Sequence, residues 1–151
     1  MIKVFNNIIP FEGYIAITVM PFIFVRKDLA HKYDAATDRH EHIHGRQQLE
    51  FLVVALVLMA GIVLLSGISW WWLCASPVLY FIWYGIEYLV RDLAYGSDKE
   101  AYRNVAFEQE AFLNEGNSTY LSHRKPFVWI RYIPLKTYRH RTPSMFDNDN
   151  F

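Results

Sequence analysis

A run of 36 residues without a charged side chain, from Phe51 to Ile86, constrains the fold of this 151-residue chain more than any other feature. The run is longer than the 17–25 residues or so that one membrane-spanning helix needs, and it fits two spans at the short end of that range. Because the bilayer interior offers no water to backbone polar groups, each span is expected to be a helix. Gly67, Ile68 and Ser69 lie near the middle of the run and predict the turn of a helical hairpin. A buried hairpin in a soluble bundle is the alternative, but the rest of the chain has too little apolar surface to cover two such helices.

The charges outside this run indicate an orientation. Fifteen Lys and Arg balance fifteen Asp and Glu, so no overall field favours nucleic acid, and no nucleic-acid partner is expected. All fifteen basic residues lie outside residues 47–90, on both flanks of the hairpin, while its turn has none. Positive flanks remain in the cytoplasm, which predicts an integral membrane protein with two spans and both termini on the cytoplasmic side. Trp70, Trp71 and Trp72 would then lie among the headgroups of the opposite face.

Helix caps and turn residues on either side of the uncharged run indicate the remaining elements. The predicted fold is a single membrane-anchored domain over residues 1–151. The class is mainly α, with a transmembrane helical hairpin, a short N-terminal β-hairpin and a minimal metal site, described below, that is zincin-like by resemblance. Thr37 or Asp38 is expected to cap the helix that becomes the first span, and the sequence from Ser97 to Glu100 is a capping-box pattern that opens a third helix. The predicted elements are a β-hairpin over 8–26, the first helix over 37–66, the second span over 70–92, the third helix over 98–115 and a basic, aromatic tail on anionic headgroups over 121–151.

A His-Glu-x-x-His motif at His40, Glu41 and His44 is the candidate metal-binding and catalytic motif of the chain. A helix brings residues four apart to one face, so both imidazoles can bind one metal ion while Glu41 lies a step round the helix. A catalytic zinc site needs a third protein ligand and one open position. The third helix offers Glu108 or Glu110. Each arm of the hairpin covers roughly 33 Å at 1.5 Å per residue, so the chain returns to the level of the histidines.

These residues resemble the gluzincin type of HExxH zinc metallopeptidase, in which a glutamate on a later helix supplies the third ligand. The sequence FEQEA around Glu108 is similar to the E-x-x-A-D pattern of membrane-associated members, which would make Glu108 the ligand. Phe112 stands where that pattern has aspartate, and Glu110 remains an alternative ligand. Gln47 extends the motif to HExxHxxQ, as in several small peptidase families.

The resemblance implies a Zn²⁺ cofactor, Glu41 as general base, and hydrolysis of peptides or membrane proteins at the cytoplasmic membrane surface. An extended substrate would pair with an edge strand within the segment Tyr14 to Val25. The oxyanion donor stays open among three residues: Tyr102, Tyr120 and His123.

Two other classes of function are compatible with the sequence. One is a non-catalytic membrane subunit or scaffold in a larger membrane complex, with a structural metal site. The other is a di-iron lipid-modifying oxidative enzyme using both histidines with Glu108 and Glu110, although such sites usually need more histidines. Outside the site, His42 is expected at the surface, and Glu87 is expected to form an ion pair with Arg91 one helical turn later.

Overall fold

The computed structural model describes residues 1–135 and is mainly helical, with a small sheet at the N-terminus. The strands are β1 (Ile2–Asn6), β2 (Ala16–Val19) and β3 (Phe22–Arg26), and the helices are α1 (Ala35–Ser66), α2 (Ser76–Tyr95), α3 (Asp98–Asn104), α4 (Ala106–Asn114) and α5 (Tyr120–His123). Short 3₁₀ turns cover Ala30–Lys32, Trp70–Ala75 and Val128–Tyr132.

The N-terminal sheet has three strands in the order β1-β3-β2, with β1 parallel and β2 antiparallel to β3. The predicted hairpin over 8–26 is therefore corrected: its strands begin only at Ala16, because Pro10 and the left-handed Gly13 (φ 95°) interrupt the segment before it. Strand β1 was not predicted at all. It is held by pairing with β3, some 20 positions away in sequence, as in Ile2 with Phe22.

Helix α1 runs without a break from the motif into the apolar run, as predicted. Its cap differs from the prediction: the Asp34 side chain accepts a hydrogen bond from the Thr37 backbone N–H at 2.8 Å, so Thr37 and Asp38 lie inside the first turn. Asp34 is the N-cap because a cap side chain accepts a hydrogen bond from a backbone N–H two or three positions later, and Thr37 is three positions after Asp34. The helix ends at Gly67, whose φ of 69° suits glycine.

Helices α1 and α2 form the hairpin. Two helical segments are long and apolar enough to cross a membrane: α1, and Trp70–Tyr95, which combines the 3₁₀ turn with α2. Helix α2 starts at Ser76, after the 3₁₀ turn, and extends to Tyr95, three residues past the predicted end at 92. In the most apolar 18-residue stretch of each helix only 11% of the residues are buried. Val57 and Leu65, for example, are 68% and 92% exposed. A core hairpin of a soluble bundle would be mostly buried, so this exposure argues against that alternative.

The predicted third helix over 98–115 is two helices, α3 and α4, separated by Val105 in an extended conformation (ψ 134°). The break frees the backbone N–H of Ala106, which donates to Glu87 Oε1 at 2.8 Å. The same oxygen accepts from Arg91 at 2.6 Å, which confirms the expected ion pair between Glu87 and Arg91. A single contact on α2 thus fixes where α4 starts.

The described part of the predicted tail packs on the helices, a contact that the sequence did not predict. Arg124 forms ion pairs with Glu50 and Glu110, and Trp129 is 6% exposed with its ring 4.7 Å from that of Phe107. These contacts bury a cation and an indole that a segment lying on headgroups would leave at the interface. The remainder of the predicted tail, residues 136–151, lies outside the described residues.

Candidate metal centre

Helices α1 and α4 bring three of the predicted ligands together. His40 and His44 lie one helical turn apart on α1, and their Nε2 atoms are 3.0 Å apart. Glu108, in the first turn of α4, places Oε2 3.3 Å from His40 Nε2 and Oε1 3.4 Å from His44 Nε2. One donor atom from each residue lies within 4.8 Å of the others, and all three residues are buried. This group can hold a metal ion.

Hydrogen bonds behind the rings orient both imidazoles. His40 Nδ1 lies 2.8 Å from a carboxylate oxygen of Glu115, and His44 Nδ1 lies 2.8 Å from the amide oxygen of Gln47. Since each Nδ1 faces an oxygen acceptor, the Nδ1 proton stays in place when the ring is neutral, and Nε2 is the nitrogen that faces the cluster and could bind a metal ion. Metal-binding histidines are oriented in this way by an acceptor behind the ring.

The three donor groups lie close enough together to share one metal ion. With bonds of about 2.0–2.1 Å, two ligands of a tetrahedral zinc are about 3.3 Å apart. The two Nε2 atoms are 3.0 Å apart, and they lie 3.3 and 3.4 Å from the two different oxygens of Glu108. Glu108 Oε2 is also buried without a hydrogen bond, while Oε1 accepts one from the Tyr84 hydroxyl at 3.0 Å. A buried carboxylate oxygen without a hydrogen bond, 3.3 Å from an imidazole nitrogen, fits a cation.

The electrostatics of the cluster also favour positive charge at its centre. Burial lowers the pKa of His40, but contacts with Glu108 and Glu115 and the charge of Glu41 outweigh it and raise that pKa to about 10. Burial raises the pKa of Glu108, yet the charges of His44 and His40 and their contacts with the carboxylate lower it below its ordinary value. Without a bound metal ion, a proton on His40 provides positive charge next to Glu108 and Glu115.

The alternative ligand, Glu110, points away from the histidines. Residues two apart on a helix lie about 200° apart around its axis, so Glu108 and Glu110 cannot face the same side. Glu110 is fully buried and accepts hydrogen bonds from Arg124, Tyr120 and Gln47. Its role is to anchor the segment after α4, and only Glu108 of the pair reaches the imidazoles.

Glu41 faces the sheet next to the ligand cluster. Its carboxylate Oε2 accepts a hydrogen bond from the Thr18 hydroxyl of β2 at 2.8 Å, and 4% of the residue is exposed. The charge of Glu41 contributes to raising the pKa of both His40 and His44, although burial is the largest influence on each and acts in the opposite direction. Glu41 therefore lies between the edge strand and the two histidines.

The expected substrate-binding edge is partly occupied by a side chain of the protein. Strand β2 is one of the two edges of the sheet, and the side chain of Gln48 binds it. The Gln48 amide nitrogen donates to the Thr18 carbonyl at 2.7 Å, and its oxygen accepts from the Met20 N–H at 2.9 Å. A substrate cannot pair with these two backbone groups unless Gln48 moves.

The three candidate oxyanion donors are in different positions. Tyr102 on α3 lies beside Glu108: burial first, and then the Glu108 charge, raises its pKa well above the ordinary value. The Tyr120 hydroxyl donates to Glu110 Oε1 at 2.9 Å, and His123 is exposed and bonded to Ser122 and the Thr119 carbonyl. Of the three, Tyr102 is the one beside the candidate ligands.

Sequence reasoning missed three partners of the site: Glu115, Thr18 and Tyr84. Glu115 was recognisable in principle, because it follows Glu108 by seven residues and a helix returns to the same face after two turns. Thr18 and Tyr84 reach the site through tertiary packing, and their sequence surroundings carry no signal of it.

No protein-family model, curated protein or solved structure matches this chain.

Proposed function

We propose that this protein is a membrane-anchored, zinc-dependent metallopeptidase that hydrolyses peptide bonds at the cytoplasmic membrane surface. The observation that carries the proposal is the convergence of His40, His44 and Glu108 in one buried group whose donor atoms lie within 4.8 Å of one another, with the glutamate of the same HExxH motif beside them. Two imidazoles with one carboxylate are a common ligand set of catalytic zinc, and they leave a fourth position for water or substrate.

The chemistry follows from the residues in the cluster. Zinc bound there would polarise a peptide carbonyl and acidify a coordinated water. Glu41 would hold the proton released from that water and pass it to the departing amine, and the Thr18 hydroxyl orients its carboxylate. Tyr102 would be the donor to the developing oxyanion, because it is the candidate that lies beside Glu108.

The membrane location is supported by how close the ligands are to the uncharged run. His44 precedes Phe51 by seven residues, about 10 Å along the axis of α1. Tyr84, which donates to Glu108, lies inside the uncharged run itself. A site at that depth suits peptides or membrane proteins presented at the lipid surface, with both termini in the cytoplasm as the positive flanks favour.

A structural metal site in a membrane subunit or scaffold is the second candidate. The observation that favours it is burial: His40, His44 and Glu108 are 2%, 8% and 4% exposed. In that case Glu41 would only tie α1 to the sheet through Thr18. The di-iron alternative loses support, because Glu110, the second carboxylate it requires, is bonded to Arg124.

Metal analysis and a cleavage assay on the detergent-purified full chain separate these candidates. The wild type should contain one zinc per chain, and His40→Ala and Glu108→Ala should lose it. Glu41→Gln should keep zinc and lose peptide cleavage, because the amide cannot take up the proton.

His42→Ala is the matched control on the same helix, since its side chain is 31% exposed and contacts Asp38 instead of the cluster. It should retain both zinc and cleavage. Zinc without cleavage in the wild type across a broad peptide library would support the structural site, and a wild type without zinc after metal reconstitution would contradict both candidates.

A further inference from the structure

The outer face of the N-terminal sheet is apolar and partly exposed, with Val4 and Phe24 half-buried and its other residues more exposed. One face packs on α1 through the buried Ile23 and Val25. Residues paired across neighbouring strands point to the same side of a sheet, so the pairings define the opposite face. That face, here called the outer sheet face, consists of Ile2, Val4, Ile17, Val19, Phe22 and Phe24.

This face is accessible in the isolated chain. Ile2 is 58% exposed, and Val19 and Phe22 are 38% and 37% exposed. Antiparallel sheets with one solvated face normally alternate apolar residues inward with polar residues outward. An outer face made of aliphatic and phenyl side chains therefore needs another apolar surface.

Contacts with α1 show which end of the sheet is nearest the uncharged run. The Met20 N–H is bonded to Gln48, and the Met1 side chain lies against Gly45. Farther from the uncharged run along α1, the Lys3 side chain, one residue after Ile2 on β1, forms an ion pair with Asp38, 2.7 Å away. The N-terminus and the turn between β2 and β3 thus lie at the level of residues 45–48, about one helical turn before Phe51.

The outer sheet face is most apolar at that end. The rung nearest the uncharged run contains Ile2, Phe22 and Val19, whereas the far rung pairs Asn6 with Arg26. The exposed Arg46 lies at the same level of α1 as the apolar end, where lipid phosphates would meet it. Apolar side chains toward the hydrocarbon and polar ones away from it are the pattern of an interfacial element.

We infer that the outer sheet face lies in the lipid interface, so that the sheet is a second membrane contact beside the helical hairpin. The partner that we assign to this face is lipid. The apolar end of the face lies at residues 45–48 along the axis of α1, next to the level at which the apolar surface of α1 begins. This inference rests on the membrane insertion included in the proposed function. It adds that the strand bonded to Glu41 is held against the bilayer, which would confine the site to substrates at the membrane surface.

Spin labels placed in nanodiscs test the inference on the full chain. Three cysteine variants are made in a Cys74→Ser background: Val19→Cys on the outer sheet face, Asn7→Cys beyond its polar end, and Val57→Cys in the span. Collision with oxygen, which concentrates in lipid, is compared with collision with a water-soluble nickel chelate. The label at Val19 should collide more with oxygen and less with nickel than the label at Asn7.

The Val57 label separates the two possible failures. Suppose that the Val57 label is in lipid, while the label at position 19 collides with the nickel chelate as often as the label at position 7. The inference about the sheet is then wrong, and membrane insertion of the hairpin is still supported. If the Val57 label is itself open to nickel, insertion and this inference fail together. Protection at position 19 that persists in dilute detergent, with spin–spin broadening, would assign the face to a second copy and overturn the lipid assignment. Unchanged metal content in each variant shows that the fold survives labelling.

Discussion

At the scale of single residues, Glu115 and Gln47 decide which nitrogen of each histidine faces the ligand cluster. Both accept from Nδ1, at 2.8 Å in each case, and so reserve Nε2 for a metal. Glu115 adds a negative charge behind His40, which makes that imidazole a stronger base and a better ligand. Neither residue touches the metal position, yet both are expected to contribute to metal affinity.

Replacing Glu115 with alanine should therefore weaken zinc binding by about 10–100-fold, the usual effect of losing such a partner. Competition with a chelator of known affinity measures the change. Glu115→Gln is the conservative variant: its amide oxygen can still accept from Nδ1, so it should lose less affinity than the alanine variant. Equal affinity in the wild type and in Glu115→Ala would show that His40 is oriented without this contact.

Arg124 is the second residue whose loss should have a large effect, in this case on stability. Its side chain is 4% exposed and is paired with Glu50 and Glu110. Arg124→Met leaves two carboxylates without their cation, which should lower the free energy of unfolding by about 3–5 kcal/mol. Unfolding in detergent micelles, followed by tryptophan fluorescence, measures this.

The exposed Arg131 provides the matched control, and Arg131→Met should change stability little. In the double variant Arg124→Met with Glu110→Gln, part of the stability should return, because one uncompensated charge is removed along with the cation. A single Arg124→Met variant as stable as the wild type would contradict the assignment of this cluster as an anchor.

At the scale of elements, the sequence predicts the helices and turns that depend on residues close together in the chain. The hairpin was predictable because a charge-free run of this length has few structural solutions, and Gly67 marks its turn. Strand β1 was not predictable, since it depends on pairing with β3 far along the chain. The break at Val105 was not predictable either: the stretch reads as one helix, and the contact between Glu87 and Ala106 that fixes the break comes from α2.

The candidate site was predictable to the same extent. His40, Glu41 and His44 are placed by the geometry of one helix, so the sequence alone put the histidines on one face. The choice between Glu108 and Glu110 depends on the rotation of α4 about its axis. That rotation is set by where α4 starts and by the packing of Phe107 on Tyr80, which the spacing of residues does not reveal.

Glu87 links the hairpin to the candidate ligands, because its carboxylate holds both Arg91 and the first residue of α4. Glu87→Ala removes the carboxylate that pairs with the fully buried Arg91. It also removes the acceptor of the Ala106 N–H at the start of α4, two residues before Glu108. Stability should fall by about 3–5 kcal/mol, as for other broken buried pairs, and zinc affinity should fall with it. Chelator competition and unfolding in micelles give the two readouts.

The half-buried Asp92 lies beside Arg91 on α2 but outside this contact set, so Asp92→Ala should leave zinc affinity unchanged. Glu87→Gln should fall between Glu87→Ala and the wild type, because the amide still accepts from Ala106 but carries no charge. Loss of stability with zinc affinity intact would show that α4 is positioned independently of the hairpin.

At the scale of the whole molecule, the chain is divided at about the level of Phe51. On one side lie the sheet, the candidate ligands and helices α3 to α5, together with all the described basic residues. On the other lies an apolar hairpin ending at Trp70–Ala75, which exposes most of its surface. This division makes the orientation of the molecule testable without any knowledge of its substrate.

The orientation prediction is that the hairpin turn and the metal-binding side lie across the bilayer from each other, with the latter in the cytoplasm. Single cysteines at Ser69, in the turn, and at Asn117, in the exposed loop after α4, report on the two sides in a Cys74→Ser background. A membrane-impermeant maleimide applied to intact cells should label Ser69→Cys at once and Asn117→Cys only after permeabilisation. The reverse pattern would place the candidate site outside the cytoplasm. Labelling of both cysteines in intact cells would mean that the hairpin does not hold the two sides apart, because a spanning pair of helices separates them by the full bilayer.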